Sequence, residues 1–260
     1  MDHDFEKMYG QAVGQGAQAT VYAKGDYAVK LYREGYPKIN VFSEAYIMAN
    51  LERDGFPSPG VYEVMQAGER FGLRMDIVKG RPMEDIVSEA GTDAEKHKNL
   101  LDDLVNLQCR LQKQGSSYNW LPDIKTRLRN DLVRSARLSD SCRERLLNTL
   151  DSLPDGEELC HCDFHFGNIF FDGTEYTIID LLQMSKGDPA VDAVCSYVSY
   201  SFLDREYAEL YLERYCDVSG ISREHVLRWL PVYAGTLLGQ VPEKYTPIVT
   251  EFINAGGQLL

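Results

Sequence analysis

The stretch Cys160-His161-Cys162-Asp163-Phe164-His165-Phe166-Gly167-Asn168 gathers a carboxylate, two imidazoles, two thiols and an amide into nine residues. Asp163 offers a carboxylate able to orient a substrate hydroxyl or take its proton. Asn168, five residues on, offers an amide oxygen to a metal ion. Asp180, seventeen residues after Asp163, is placed to hold Mg²⁺ against the phosphates of a nucleotide. Mg²⁺ prefers a few hard oxygen ligands completed by phosphate and water, and an amide with a carboxylate suits it. The spacing predicts a hairpin, with strands over 168–171 and 176–181 about a turn at Asp172-Gly173. Asn168 then starts one strand and Asp180 ends its neighbour, so both side chains meet at the same end.

The same stretch admits other chemistry. Cys160, His161, Cys162 and His165 are four potential zinc ligands within six residues. Structural zinc sites usually draw pairs from separated segments, and four ligands this close strain the chain. Cys160 and Cys162 read better as small buried residues flanking His161. A nucleophilic cysteine is the third possibility, but no separate base partner is indicated.

Upstream, Gly14-Gln15-Gly16-Ala17-Gln18-Ala19 lies between two predicted strands. It lacks the glycine–lysine–Ser/Thr order of a Walker A loop, and taken alone it is equally a hairpin turn. Its placement says more, because Lys30 follows on the third strand within Tyr27-Ala28-Val29-Lys30-Leu31-Tyr32. A glycine loop between two strands, with a lysine on the next, is the arrangement that covers phosphates in kinases. A lysine in an apolar strand needs a partner or a wet edge. Glu44, in the helix that follows, is the obvious partner; an exposed lysine and a surface glutamate fit these two residues as well.

These groups must be carried by a framework, and the pattern supplies one with two lobes. Short strands are predicted at 12–13, 19–23, 27–32, 61–66 and 71–78, with a helix over 41–53 marked by Phe42, Ala45, Tyr46 and Ala49. Beyond Gly80-Arg81-Pro82 the period becomes helical: Leu100, Leu101, Leu104, Leu107 and Leu111 mark one helix, and Leu146, Leu147, Leu150 and Leu153 another. The expected architecture is α+β and bilobal. Residues 1–78 form a small lobe with an antiparallel sheet and one helix, and residues 79–260 form a larger, mainly helical lobe.

Composition bounds the partners. Apolar residues make up 44% and charged residues 26%, enough for a core and no sign of wholesale disorder. A formal charge of −13 argues against a nucleic-acid ligand; it is the surplus of many simply acidic soluble proteins, and it also suits steering of a cationic small molecule. The start shows neither a basic nor an apolar leader region, the end shows no lipidation motif, and no run of about 18 apolar residues is present to span a bilayer. With six scattered cysteines and no export signal, the expectation is reduced thiols and a cytoplasmic protein away from membranes.

Residues Leu159 to Phe170 resemble the catalytic loop of aminoglycoside phosphotransferases and their relatives, such as choline, fructosamine and methylthioribose kinases. The shared pattern, His-x-Asp-x-x-x-x-Asn with a second His and a Gly before the Asn, is met by His161, Asp163, His165, Gly167 and Asn168. Ile178-Ile179-Asp180 stands where the family has its metal-binding aspartate, and Gly187-Asp188-Pro189 resembles its Gly-Asp-Pro segment. With the glycine loop, Lys30 and Glu44 upstream, the resemblance spans about residues 10 to 200. Departures are modest: Cys162 and Phe166 sit where Gly and Pro are common, Ala19 replaces a loop glycine, and Leu181 follows Asp180 where an aromatic is frequent.

The resemblance implies a protein-kinase-like fold with MgATP in the cleft between the lobes, GTP being the alternative nucleotide. It implies phosphate contacts from the Gly14 and Gly16 loop and from Lys30 held by Glu44. Adenine would be held by backbone groups at Met75, Asp76, Ile77 and Val78, and Mg²⁺ by Asn168 and Asp180. Asp163 would orient the hydroxyl of a small-molecule acceptor, and the stretch from Asp192 through Tyr197, Tyr200 and Phe202, with the final helices, would line its pocket, although aromatic residues at helical spacing are more often core and none is assigned as a ligand. Two other classes share these motifs. A protein kinase needs an activation loop, and Leu181 to Lys186 leave no room for one; a nucleotide-binding regulatory module needs no turnover, yet no catalytic group is missing. Neither the acceptor nor the oligomeric state is specified by the motifs.

Overall fold

The computed structural model describes residues 2–255; the C-terminal residues 256–260, on which the lipidation expectation falls, lie outside the described residues. In chain order the elements are α1 (Asp2–Tyr9), β1 (Gln11–Gln15), β2 (Ala19–Lys24), β3 (Tyr27–Tyr32), α2 (Lys38–Arg53), β4 (Val61–Ala67), β5 (Arg70–Asp76), β6 (Arg81–Pro82), α3 (Met83–Glu89) and α4 (Ala94–Gln112). There follow α5 (Ile124–Arg134), α6 (Asp140–Ser152), β7 (Glu158–Cys160), β8 (Ile169–Phe171), β9 (Tyr176–Ile178) and β10 (Ser185–Gly187). The chain continues through α7 (Pro189–Ser201), α8 (Arg205–Ser219), α9 (Arg223–Leu227), α10 (Leu230–Leu237) and α11 (Thr246–Asn254). Among the described residues, no helix is long and apolar enough to cross a membrane.

The chain forms two compact units, one of residues 1–86 with 167–182, the other of residues 87–166 with 183–260. The first is built on an antiparallel sheet in the order β1-β2-β3-β5-β4. Alternation sorts β3 between its two faces. Val29 and Leu31 pack with Tyr22, Ala67 and Tyr9, the last contributed by α1, a helix that the strand-rich pattern of the first residues does not announce. Ala28, Lys30 and Tyr32 share the opposite face, and Tyr32 and Lys30 there meet Glu44 of α2. The buried stripe of α2 is Val41, Glu44, Ile47, Met48 and Leu51. The expected stripe differs: Phe42 and Tyr46 are 47% and 56% exposed. Both sets have helical spacing, and the glutamate belongs to the inward one because a lysine and a tyrosine wait for it.

The β8–β9 hairpin belongs to this first unit by its contacts. Its first strand β8, the middle strand of a three-stranded sheet, pairs with β6, Arg81 opposite Phe171 and Pro82 opposite Phe170. Gly80 makes that approach possible. Its φ is +84°, and a Cβ there would lie 2.2 Å from the Phe171 carbonyl oxygen.

The second unit is a helical assembly with one small strand pair, β7 with β10. α4 buries Leu101, Leu104, Val105, Leu107 and Leu111 together with two polar side chains, Gln108 and Gln112. α7 is buried along nearly its whole length, and Trp229 is fully enclosed. Asp188 caps α7 through the Ala190 N–H (2.9 Å), with Pro189 in the first turn, as the dipeptide predicts. The same carboxylate takes hydrogen bonds from the Trp229 indole (3.1 Å) and from His225 Nε2 (2.5 Å).

Candidate active site

Within the first unit the structure brings Lys30, Glu44 and Asp180 together. Lys30 Nζ donates to Glu44 Oε1 at 2.7 Å and to Asp180 Oδ1 at 3.1 Å. Glu44 is buried, whereas the Asp180 side chain is 45% exposed. Burial works to lower the pKa of Lys30, but the two carboxylates, Glu44 foremost, outweigh it and hold the ammonium above its ordinary value. Glu44 would be costly to bury alone, and it is answered on both oxygens, by Lys30 and by the Tyr32 hydroxyl. Burial and the adjacent Glu44 push the Tyr32 phenol upward, so it stays a donor.

Asn168 is 7% exposed and closes a single 3₁₀ turn over Phe166–Asn168, so it precedes β8 where a strand residue was expected. Its carbonyl accepts the Ile179 N–H at 3.0 Å, one step beyond the Ile169–Ile178 pair. Asp180 follows with φ +61°, a left-handed backbone that ends the ladder two residues after β9 instead of continuing it. Asn168 and Asp180 are thus anchored at the same end of the hairpin, one before the first strand and one after the second.

Gly14 lies in β1 beside a break in its register with β2, and the Gly16 N–H donates to the Ala19 carbonyl at 2.9 Å. A Cβ at either glycine would come no nearer than 3.8 Å to the atoms around it. The fold therefore does not itself demand glycine there, in contrast to Gly80. Met75 and Asp76 are ladder residues at the end of β5, and the Asp76 N–H donates to the Gly60 carbonyl at 2.9 Å. The Asp76 carboxylate accepts the Gly60 N–H (2.8 Å) and the Tyr62 hydroxyl, tying off the sheet edge. Ile77 and Val78 lie beyond the strand.

The second unit holds Asp163. Its carboxylate oxygen lies 3.5 Å from His165 Nε2, and its N–H donates to His161 Nδ1 at 3.2 Å. His161 is 4% exposed and set edge-on to Phe164. Cys162, between them, has φ +66°, which explains why glycine is common at this position in the resembling family. Its N–H donates to Asp192 Oδ1 at 2.7 Å. Asp192 Oδ2 takes the side-chain amides of Gln108 and Gln112, both at 2.9 Å. The oxygens of those two glutamines accept the hydroxyls of Tyr211 (2.7 Å) and Tyr215 (2.9 Å). The Ser196 hydroxyl donates to the Phe164 carbonyl at 2.7 Å, fixing the other side of the loop. Burial, then the nearby Cys162, raises the Asp192 pKa.

Asp192, Tyr197 and Tyr200, in the stretch expected beside an acceptor pocket, are buried at 1%, 3% and 4% exposure, and Asp192 holds the backbone of the Asp163 loop. The thiols of Cys160, Cys162 and Cys195 are buried beside that loop, and burial pushes the Cys195 thiol up, so it stays protonated. Among the described residues, no three His, Cys, Asp or Glu side chains converge as a metal cage. Sequence reasoning missed Gln108, Gln112, Tyr211 and Tyr215. Each sits on an amphipathic helix far from the loop in sequence, where a glutamine or tyrosine carries no local signal.

Comparison with known proteins agrees with this geometry. Residues 10–230 match the model of the phosphotransferase enzyme family. No curated protein sequence matches the chain significantly. Among solved structures, a choline kinase from Streptococcus pneumoniae superposes with TM-score 0.65 at 13% identity, over 98% of this chain and 99% of that one. A choline/ethanolamine kinase family protein from Mesorhizobium loti gives 0.62 at 17% identity, over 95% and 87%. A thermostable mutant of an aminoglycoside phosphotransferase, in a ternary complex with AMP-PNP and hygromycin B, gives 0.66 at 11% identity, over 96% and 94%. At such identities the superpositions establish the kinase-like fold, and the family match establishes the class: the chain belongs to the phosphotransferase enzyme family and is a small-molecule kinase.

Proposed function

We propose that this phosphotransferase moves the γ-phosphoryl group of ATP to a hydroxyl of a small molecule. The observation that carries the reading is the Lys30–Glu44–Asp180 centre, an ammonium shared by one buried and one half-exposed carboxylate. Its formal charge is one negative, so the centre is not self-neutralised and retains attraction for a cation. Lys30, held by Glu44, is suited to contact the α- and β-phosphates. The Gly14 and Gly16 backbone, with space where side chains would stand, is suited to cover them. Backbone groups at Ile77 and Val78, past the last ladder pairs of β5, are the ones to hold the adenine edge.

Asn168 and Asp180 fit Mg²⁺: two hard oxygen donors at one end of a hairpin, leaving other positions to phosphate and water. The ion would supply charge neutralisation at the phosphates as the γ-phosphoryl group departs. Asp163, its backbone pinned through Cys162 and His161, orients the acceptor hydroxyl for in-line attack. The formal charge of −13 favours an acceptor bearing amines, such as an aminoglycoside or an amino alcohol. Solved relatives include complexes with streptomycin and with hygromycin B.

The test is ADP release from MgATP across a panel of aminoglycosides, amino alcohols and sugars, preceded by a thermal-shift screen with Mg·AMP-PNP. Acceptor-dependent ADP release that Asp163→Ala abolishes supports the reading. Tight nucleotide binding with no transfer to any acceptor points to a regulatory module, and transfer that survives Asp163→Ala overturns the role given to that residue.

A further inference from the structure

Tyr32 stands two residues beyond Lys30 on the same face of β3 and is fully buried. Because its hydroxyl takes Glu44 Oε2 while Lys30 takes Oε1, the carboxylate of Glu44 is fixed from two directions. The ring of Tyr36 stacks on that of Tyr32, with centroids 4.6 Å apart and planes within 15° of parallel. Tyr36 then reaches the glycine loop, its hydroxyl donating to Gln18 Oε1 at 2.8 Å. The Gln18 carbonyl accepts the Arg33 N–H, also at 2.8 Å. Gln18 is thereby held at its backbone and at its side-chain end by the segment that leaves β3.

We propose that Tyr32 and Tyr36 are positioning residues, a two-ring strut that fixes the glycine loop relative to the Lys30–Glu44 pair; the consequence for ligand affinity rests on the nucleotide-binding reading above. A loop with glycines at 14 and 16 loses much backbone freedom when it orders on a ligand. A loop already held in place loses less on binding and so binds phosphates more tightly. Aromatic rings suit the task, since each has only two side-chain torsions to fix.

The experiment uses the full chain and Tyr36→Phe, which keeps the stack and removes only the hydroxyl. Affinity for Mg·AMP-PNP is measured by calorimetry, and amide hydrogen exchange across residues 14–18 is followed without nucleotide. Tyr36→Phe should weaken nucleotide binding roughly three- to tenfold and speed loop exchange, with the unfolding midpoint unchanged. Gln18→Ala should do the same, and the double variant should add little further, because one interaction is being removed twice. Tyr32→Phe, which leaves a charged oxygen of Glu44 unanswered, should weaken binding roughly ten- to a hundredfold. Unchanged loop exchange in Tyr36→Phe, or fully additive losses with Gln18→Ala, overturns the strut. Failure of the nucleotide reading looks different: the parent then binds no AMP-PNP, while faster loop exchange in Tyr36→Phe still supports the strut.

Discussion

The two units fix their chemical groups by opposite means. In the first, position is set by charge: Lys30 is shared between Glu44 and Asp180 at 2.7 and 3.1 Å. In the second, the Asp163 loop is held by neutral donors, with amides of Cys162, Gln108 and Gln112 on Asp192 and a serine hydroxyl on the Phe164 carbonyl. A centre built from charges responds to an incoming charge: a cation can compete with Lys30 for the half-exposed Asp180, and an anion can compete with Asp180 for Lys30. A carboxylate buried in the core and satisfied by three uncharged N–H donors offers no such exchange and keeps its shape. On the proposed reading, the first region accommodates ligands and the second holds a reacting group still.

Breaking the comparison at its strongest points gives the largest effects. Asp163→Ala should lower turnover by about 10²–10⁴ while leaving the dissociation constant for Mg·AMP-PNP nearly unchanged. Asp180→Ala should instead remove the Mg²⁺ dependence of nucleotide binding, read by calorimetry with and without the ion. Should the two variants exchange these phenotypes, the division of labour between the units is wrong. Next in size, Asp192→Ala strands three buried N–H donors and should cost about 3 kcal/mol or more in urea unfolding.

The pH dependence sharpens the same contrast. The folded pKa of Asp192 is raised by burial, so its stabilising contribution is complete below the ordinary carboxylate range and is lost as pH rises through the folded value. The difference in unfolding free energy between the parent and Asp192→Asn should therefore vary with pH across that window; a flat difference would mean that the carboxylate does not titrate there. The smallest effect belongs to Cys162. Cys162→Gly relieves a left-handed backbone worth about 1 kcal/mol and gives up buried thiol contacts, so stability should stay within about 1 kcal/mol of the parent. Cys162→Val, β-branched at positive φ, should lose clearly more by the same unfolding assay.

Much of the framework was legible because strands and helices write their periods into the sequence. Lys30 and Glu44 were readable as one of two options, a pair or two surface charges, since a lysine among apolar strand residues asks for a carboxylate or a wet edge. The bond between Tyr32 and Glu44 was not, because a tyrosine in a strand looks like core until its hydroxyl is placed. The stripe of α2 was misread for a related reason: Phe42 and Tyr46 match the helical period as well as Ile47 and Leu51 do, and only the position of the sheet chooses between them. The hairpin was found, but its ends were not. Asp180 leaves the strand through a left-handed backbone that nothing in Ile178-Ile179-Asp180 announces. The Asp192 network was invisible locally, since Gln108 and Gln112 approach it from a helix some 80 residues away.

The hairpin carrying Asn168 and Asp180 belongs to the first unit, yet the excursion Val87–Phe166 separates it from the rest of that unit in sequence. A gene fragment ending after α3 would thus encode the glycine loop, Lys30 and Glu44 without either expected metal ligand and without the strand that pairs with β6. The entropy of closing such a long excursion rises only with the logarithm of its length. The closure term is therefore nearly insensitive to the length of the excursion, whereas cutting the chain inside it would, on the proposed reading, divide the phosphate-binding groups between two polypeptides. If the proposed reading holds, any split version of this enzyme would have to reassemble its first unit before it could bind a nucleotide.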